Sequence, residues 1–289
     1  MVVCGPPEAQ PKPNLQPQRA WHDGRAGQRV DPANRSAESG KGLRFMLRAY
    51  FDRSELPKYG IVVVAGYLSH VDLWDRFEPD WRKILRLEGL EFFHMADYVA
   101  RQGPYKGWWD RRRLKVIKQL ISVIDHVSLY HFATGLRTTD LDALIPKEQQ
   151  HRELSPYGLC AICAAAGIMA WVRDRGSPSP IACVFESGDE YGEQIVDAFS
   201  SAKRKSDELD RRLLSWSFED KRKIWGLQAA DLLAYEAARQ AVLNLGLRDH
   251  PVRQSLLRLL RRTRYDSDFL SIDALRKILF ENGPSDDAI

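Results

Sequence analysis

Residues 47–66 read LRAYFDRSELPKYGIVVVAG, and the fold class turns on how this stretch is read. Two apolar runs, 47–52 (LRAYFD) and 61–66 (IVVVAG), flank a segment containing Pro57, Lys58 and Gly60. Runs rich in β-branched and aromatic residues on either side of turn-forming residues predict two strands joined as a hairpin. The first run ends in a carboxylate, Asp52, which an apolar strand has no packing reason to carry.

Working outward, the pattern alternates. Residues 71–87 place Leu73, Trp74, Phe77, Trp81, Ile84 and Leu85 at helical spacing. Residues 91–95 (EFFHM) read as a short strand, and 102–109 (QGPYKGWW) as an irregular aromatic loop. A helix is expected from 110 to about 126, its stripe formed by Leu114, Ile117, Leu120, Ile121 and Ile124. Residues 128–137 read as a strand, and 156–173 as an alanine-rich helix, apolar nearly all round and too short to span a bilayer. A strand at 181–186 (IACVFE) then ends in Glu186. A helix at 190–204, a strand at 213–218, a helix at 226–243, a basic helix near 251–262 and a short C-terminal helix complete the series. No internal repeat interrupts it. Two strands followed by alternating helices and strands predict an α/β fold, a mixed β-sheet flanked by helices in a single domain over residues 46–280, with 281–289 as a tail.

Upstream, residues 1–45 are rich in Pro, Gly, Gln and Arg. Such a segment cannot bury enough apolar surface to offset its ordering entropy, so a disordered tail is expected. Met46 directly precedes the first strand, so an overextended reading frame is a second explanation of the same segment.

The whole chain has 289 residues, 44% hydrophobic and 28% charged, ordinary for a globular protein. No apolar run has the length of a membrane span, and the N-terminus lacks a charged-then-apolar export signal. A cytoplasmic protein without membrane association is expected; nothing indicates its oligomeric state. Of four cysteines, Cys160 and Cys163 form C-x-x-C within an apolar stretch with no second pair. That context favours a buried structural role over zinc or redox chemistry. The net charge of +4 is concentrated at the start: residues 1–45 hold seven basic and four acidic residues, leaving 36 and 35 in the remainder. Overall basicity is therefore no argument for a nucleic-acid partner. No Gly-rich phosphate loop, G-x-S-x-G elbow or H-E-x-x-H helix occurs, which removes many common enzyme classes.

What remains is a set of acids on apolar elements. Asp52 ends the first strand, Glu186 ends a central strand, and Asp231 interrupts the helix GLQAADLLAYEAARQAVL. Carboxylates converging from different elements bind Mg²⁺ or Mn²⁺, hard cations that take oxygen ligands. Bland readings stand beside this one. Asp52 is also placed to cap a turn, and Glu186, in ESGDEYG, to charge a helix N-terminus, with Asp189 competing as cap or ligand. Asp231 has Gln228 and Tyr235 on roughly its own helical face as hydrogen-bonding alternatives, whereas Glu236 is rotated away, as a peripheral ligand or a solvent-facing residue. His94, among aromatics, reads either as a satisfied core histidine or as a group that contacts phosphate or assists proton transfer. The basic clusters 111–113, 203–205 and 221–223 read as solvated faces, although the last precedes the Asp231 helix and suits a phosphate.

The series FDRSE, VVVAGYL, Trp74 and Trp81 seven residues apart, EFFHM, VFESGD and WGLQAADLLAYE resembles the bacterial and phage family called domain of unknown function 3800. The likeness covers about residues 46–240, and LQAADLLAYE is its most specific part. The resemblance implies a ribonuclease H-like sheet with metal-binding acids, carried here by Asp52, Glu186 and Asp231. It implies a metal-dependent nuclease acting on nucleic acid; the alternative is a catalytically inactive module binding nucleic acid or a protein partner, such as a mobile-element or phage-conflict accessory protein. Where the family usually reads Asp-Glu-Ser-Gly, this chain has Asp52-Arg53-Ser54-Glu55. Adjacent strand residues point to opposite faces, so Arg53 need not touch the site of Asp52.

Overall fold

The hairpin forms as its residues predict. In the computed structural model, which describes residues 46–150, 154–187, 192–205, 212–261 and 264–281, β1 (Leu47–Leu56) pairs antiparallel with β2 (Ile61–His70). The turn is a single 3₁₀ segment, Pro57–Tyr59, closed by Gly60 in the left-handed region at φ 60°, a conformation glycine adopts without penalty.

Helix α1 (Val71–Leu87), the short α2 (Met95–Ala100) and α3 (Asp110–Val127) come next, followed by β3 (Tyr130–Arg137) and α4 (Thr138–Leu144). Then come α5 (Pro156–Asp174), β4 (Ile181–Glu186), α6 (Gly192–Lys205), β5 (Leu213–Glu219) and α7 (Trp225–Asn244). The described chain closes with α8 (Gln254–Leu259), β6 (Arg264–Leu270), α9 (Ile272–Arg276) and a π-helical turn, Lys277–Glu281. The strands form one six-stranded mixed sheet in the order β5-β4-β1-β2-β3-β6. Only β2 runs antiparallel to its neighbours; β1, β4 and β5 are mutually parallel, as are β3 and β6. β2 is buried along nearly its whole length, which is why IVVVAG is apolar without alternation.

The two faces have separate cores. On one, α7 lies against the sheet with α1, α2 and α3 around it, burying Tyr50, Trp81, Phe93 and Leu227. On the other, α5 and α6 cover Phe51, Phe132, Cys183 and Phe185. α7 is surrounded, so its apolar character on every side follows from its position. Gly226 permits the contact between α7 and β1, since a Cβ there would come within 2.4 Å of the Tyr50 ring.

Several expectations need correction. Residues 91–94 form no strand: Phe93 is buried in the core and His94 is the residue before α2. Its short apolar run supplies core contacts to a loop, a use that periodicity cannot tell from a strand. The basic helix is only Gln254–Leu259, and the strand β6 after it was not anticipated. RYDSDFL is an edge strand with three consecutive polar residues, Asp266 to Asp268, and so lacks the apolar run or alternation that marks the buried strands. α5 spans 19 residues, so length and composition alone would admit it as a membrane span. Its contacts assign it instead: Leu159, Cys160, Ala164, Ile168 and Val172 are buried in the sheet core. Of the C-x-x-C pair, Cys160 is fully buried, its thiol pushed well above the usual range by burial, whereas Cys163 is half-buried. The N-terminal tail 1–45 and residues 282–289 lie outside the described residues.

Gly226→Ala is expected to cost about 1–3 kcal/mol in denaturant unfolding, because the added methyl overpacks α7 against Tyr50. Gly167→Ala, on the exposed face of α5 with nothing within 4 Å of its Cβ position, is expected to stabilise by about 0.5–1 kcal/mol.

Candidate acidic site

Strand register carries the first two acids together. Tyr50 pairs with Val184 and Phe51 with Phe185 across the parallel β1–β4 ladder. Tyr50 and Val184 face the α7 core, while Phe51 and Phe185 face the other. One residue further on, Asp52 and Glu186 therefore both project toward α7. Pairing with β4 stops at Phe51 whereas β1 continues to Leu56, so Asp52 lies within its strand, at the point where the neighbouring strand ends, and does not terminate it.

The third acid comes down from the helix above. Asp231, buried on α7, accepts a hydrogen bond at Oδ2 from the backbone N–H of Met95 at 2.6 Å. Asp52 is fully buried; its Oδ1 accepts from the Arg53 N–H at 2.8 Å. Its carboxylate also accepts a hydrogen bond from the Glu186 carboxyl, which keeps its proton beside it.

A lysine stands between the three. Lys221 Nζ lies 2.9 Å from Glu186 Oε2, 3.5 Å from Asp52 Oδ2 and 3.7 Å from Asp231 Oδ1. Carboxylates that all reach one nitrogen share one site, and a buried acid cluster needs such a countercharge. Lys221 sits on the β5–α7 turn, where the Asp220 carbonyl accepts from the N–H groups of Lys223 and Ile224. Burial would lower the lysine's pKa, but Asp52, Asp231 and Glu186 outweigh it and hold the ammonium above its usual range. Burial, then the charge of Asp52, pushes Glu186 up to about 8 despite the attraction of Lys221. Burial likewise raises Asp52.

Gln228, one helical turn before Asp231, fixes this geometry. Its Oε1 accepts from Trp81 Nε1 and from the Phe93 N–H, both at 2.9 Å, and its Nε2 donates to the Lys221 carbonyl at 2.7 Å. One side chain thus ties α1, the loop before α2 and the lysine-bearing turn to α7. Lys221 and Gln228 are the residues that sequence reasoning missed in these roles. The only signal for Lys221 was its place in a basic run just before the helix, and Gln228 appeared merely as a neighbour of Asp231.

His94 is brought near, through Met95, but its ring pairs with Asp97: Nδ1 lies 2.8 Å from Asp97 Oδ2. In the neutral ring that contact puts the proton on Nδ1 and the lone pair on Nε2. Asp189 lies outside the described residues. Glu236 does not face solvent: it is buried, accepts from Ser255 Oγ at 2.5 Å and pairs with Arg253 at 3.1 Å. Arg53 turns to the opposite face, its guanidinium 5.3 Å from the Tyr157 ring centroid and 2.6 Å from Glu55 Oε1.

The donor set is carboxylate oxygen, the kind a hard cation takes, and the Lys221 ammonium already stands among these oxygens. Among the described residues, no three or more His, Cys, Asp and Glu side chains are gathered closely enough to ligate an ion by themselves; the acids are arranged around the ammonium.

Removing the Gln228 amide in Gln228→Leu strands two donors and an acceptor, and is expected to lower unfolding free energy by about 3 kcal/mol or more. A second expectation concerns pH. The Glu186 pKa is raised in the folded state from an ordinary 4.5 to about 8, so the folded chain holds this proton more tightly than the unfolded one. Its contribution is fully present below about pH 4.5 and lost as pH rises through about 8. In chelator, the melting temperature should fall over that window, and Glu186→Gln should flatten the fall.

No family model matches the chain, and a search of the curated proteins returns no match either.

Proposed function

We propose that the chain is a metal-dependent nuclease, hydrolysing nucleic-acid phosphodiester bonds on a ribonuclease H-like sheet. The observation that carries this reading is the meeting of Asp52, Glu186 and Asp231 around one point beside the carboxyl end of β4, the end of a parallel strand at which open α/β sheets place their ligands. The mixed sheet with acids on adjacent central strands agrees with what the family resemblance implies. Mg²⁺ or Mn²⁺ held there supplies an activated water and stabilises the leaving oxygen.

The chain's own groups fit the rest. The Asp97-fixed tautomer leaves His94 Nε2 as an acceptor for a proton next to the site. The flank beyond α2 is basic and aromatic: Trp109, Arg111, Arg112 and Lys115 line a surface hollow together with Glu88, and Trp109 is exposed. It is tied to α2 by Tyr98 Oη donating to the Arg113 carbonyl and by Arg113 donating back to the Tyr98 carbonyl. Cationic side chains beside an exposed indole suit a phosphate backbone with stackable bases. The replacement of the family's usual second acid by Arg53 does not weigh against activity, because that side chain lies on the other face.

Asp231→Asn keeps an oxygen for the Met95 N–H, so the fold should survive. Cleavage of a panel of single- and double-stranded DNA, RNA and hybrid in Mg²⁺ or Mn²⁺ should fall about 100-fold or more. Undiminished cleavage by a folded Asp231→Asn protein sinks the assignment.

A further inference from the structure

The basic start of α3 carries an exposed ring among fixed charges. Trp109, the residue before α3, is 60% exposed, and among the described residues no ring or cation covers it. Its neighbour Trp108 is buried, with the Arg112 guanidinium 3.9 Å from its ring centroid. Arg112 is pinned there by Glu88: its Nε donates to Glu88 Oε2 at 2.8 Å and its Nη2 to the Glu88 carbonyl at 3.0 Å. Trp109, Arg112 and Glu88, together with Arg111 and Lys115, line a hollow of about 500 Å³, a size that takes a small-molecule group.

The lining holds three cations against one carboxylate. Glu88 bonds Arg112 and stands 3.7 Å from Lys115, while Arg111 has no ion pair among the described residues. The nearby charge of Asp110 is met outside the hollow by Arg101 at 2.5 Å and Arg113 at 3.6 Å. A simple anion would answer the positive surplus and leave the indole in water. A ligand that carries phosphate beside a flat ring uses both. In a duplex each base face is covered by the next base, so the indole has nothing to stack on; an unpaired base offers its face. The centres of protein–protein interfaces are depleted in lysine, whereas this indole stands among cations.

Accepting the nucleic-acid part of the reading above, but not its metal, we infer that this hollow binds a single-stranded segment of nucleic acid. One unpaired base stacks on Trp109, and its flanking phosphates lie on Arg111 and Lys115. Arg112, already ordered by Trp108 and Glu88, contributes a cation whose side-chain freedom is not lost on binding. The protein thereby prefers single strands, or the unpaired parts of longer ones, over duplex.

The test follows fluorescence anisotropy of end-labelled DNA and RNA oligonucleotides on the full-length chain in EDTA, which stops metal-dependent cleavage and leaves binding. In DNA or in RNA, the single strand should bind about 10-fold or more tighter than the same sequence as a duplex. Trp109→Ala should weaken single-strand binding by about 10-fold without changing the slope of log affinity against log salt. Arg111→Ala should instead reduce that slope by about 0.7, the loss of one phosphate contact. Both residues are exposed, so both variants should keep the wild-type melting temperature.

Equal affinity for duplex and single strand overturns the inference, and so does unaltered affinity in Trp109→Ala. Polyglutamate binding that depends on Trp109 as strongly as oligonucleotide binding assigns the hollow to an acidic protein and also overturns it. Those results leave the nuclease reading to the Asp231→Asn cleavage assay. Absence of binding to every oligonucleotide overturns both.

Discussion

Three carboxylates buried between a sheet and a helix repel one another and lose hydration, and the ammonium of Lys221 is what makes their burial tolerable here. The demand for that countercharge shapes the surrounding structure. The β5–α7 turn must bring a lysine inward, Gln228 must hold its backbone there, and α7 must come close enough to β1 for Asp231 to face Asp52. The last requirement accounts for a glycine at position 226, where any side chain would meet Tyr50.

α7 is the organising element because its three buried polar residues, Gln228, Asp231 and Glu236, are all engaged. Gln228 satisfies an indole, a backbone N–H and a carbonyl from three separate segments. Asp231 takes the N–H that starts α2, and Glu236 pairs with Arg253 and Ser255 near α8. A helix whose apolar residues pack everywhere has no preferred register by hydrophobicity alone. Such buried polar bonds, each expensive to leave unmade, distinguish one rotation and one depth from the others. The residues that orient the helix thereby also orient the acids.

The same economy links the site to its flank. Met95 and His94 lie at the junction between the acid cluster and α2, while Tyr98 and Arg113 join α2 to the basic start of α3. The acid cluster, α2 and the start of α3 are thus one connected piece of structure.

Much of the fold was legible in the chain. The β1–β2 hairpin, α1, α3, α5, β4, β5 and α7 follow from the period of their apolar residues and from turn residues such as Pro57 and Gly60, because burial on a strand or helix face imposes that period locally. The bounds of β4, Ile181–Glu186, agree with the expectation. The loop at 91–94 and the edge strand β6 did not follow: a loop that buries Phe93 mimics a strand, and a polar edge strand does not announce itself.

Of the site, the sequence by itself determined that Asp52, Glu186 and Asp231 stood on apolar elements and needed compensation, since a carboxylate's desolvation cost depends only on its own surroundings. It could not determine which cation compensates them. Lys221 is ten residues from Asp231, 35 from Glu186 and 169 from Asp52, one basic residue in a charged run with nothing local to mark it. Its role is created by strand register, by the closeness of α7 to Tyr50 and by the grip of Gln228. Those are long-range contacts, and only the tertiary structure decided them, because a countercharge is defined by distance in space and not by spacing along the chain.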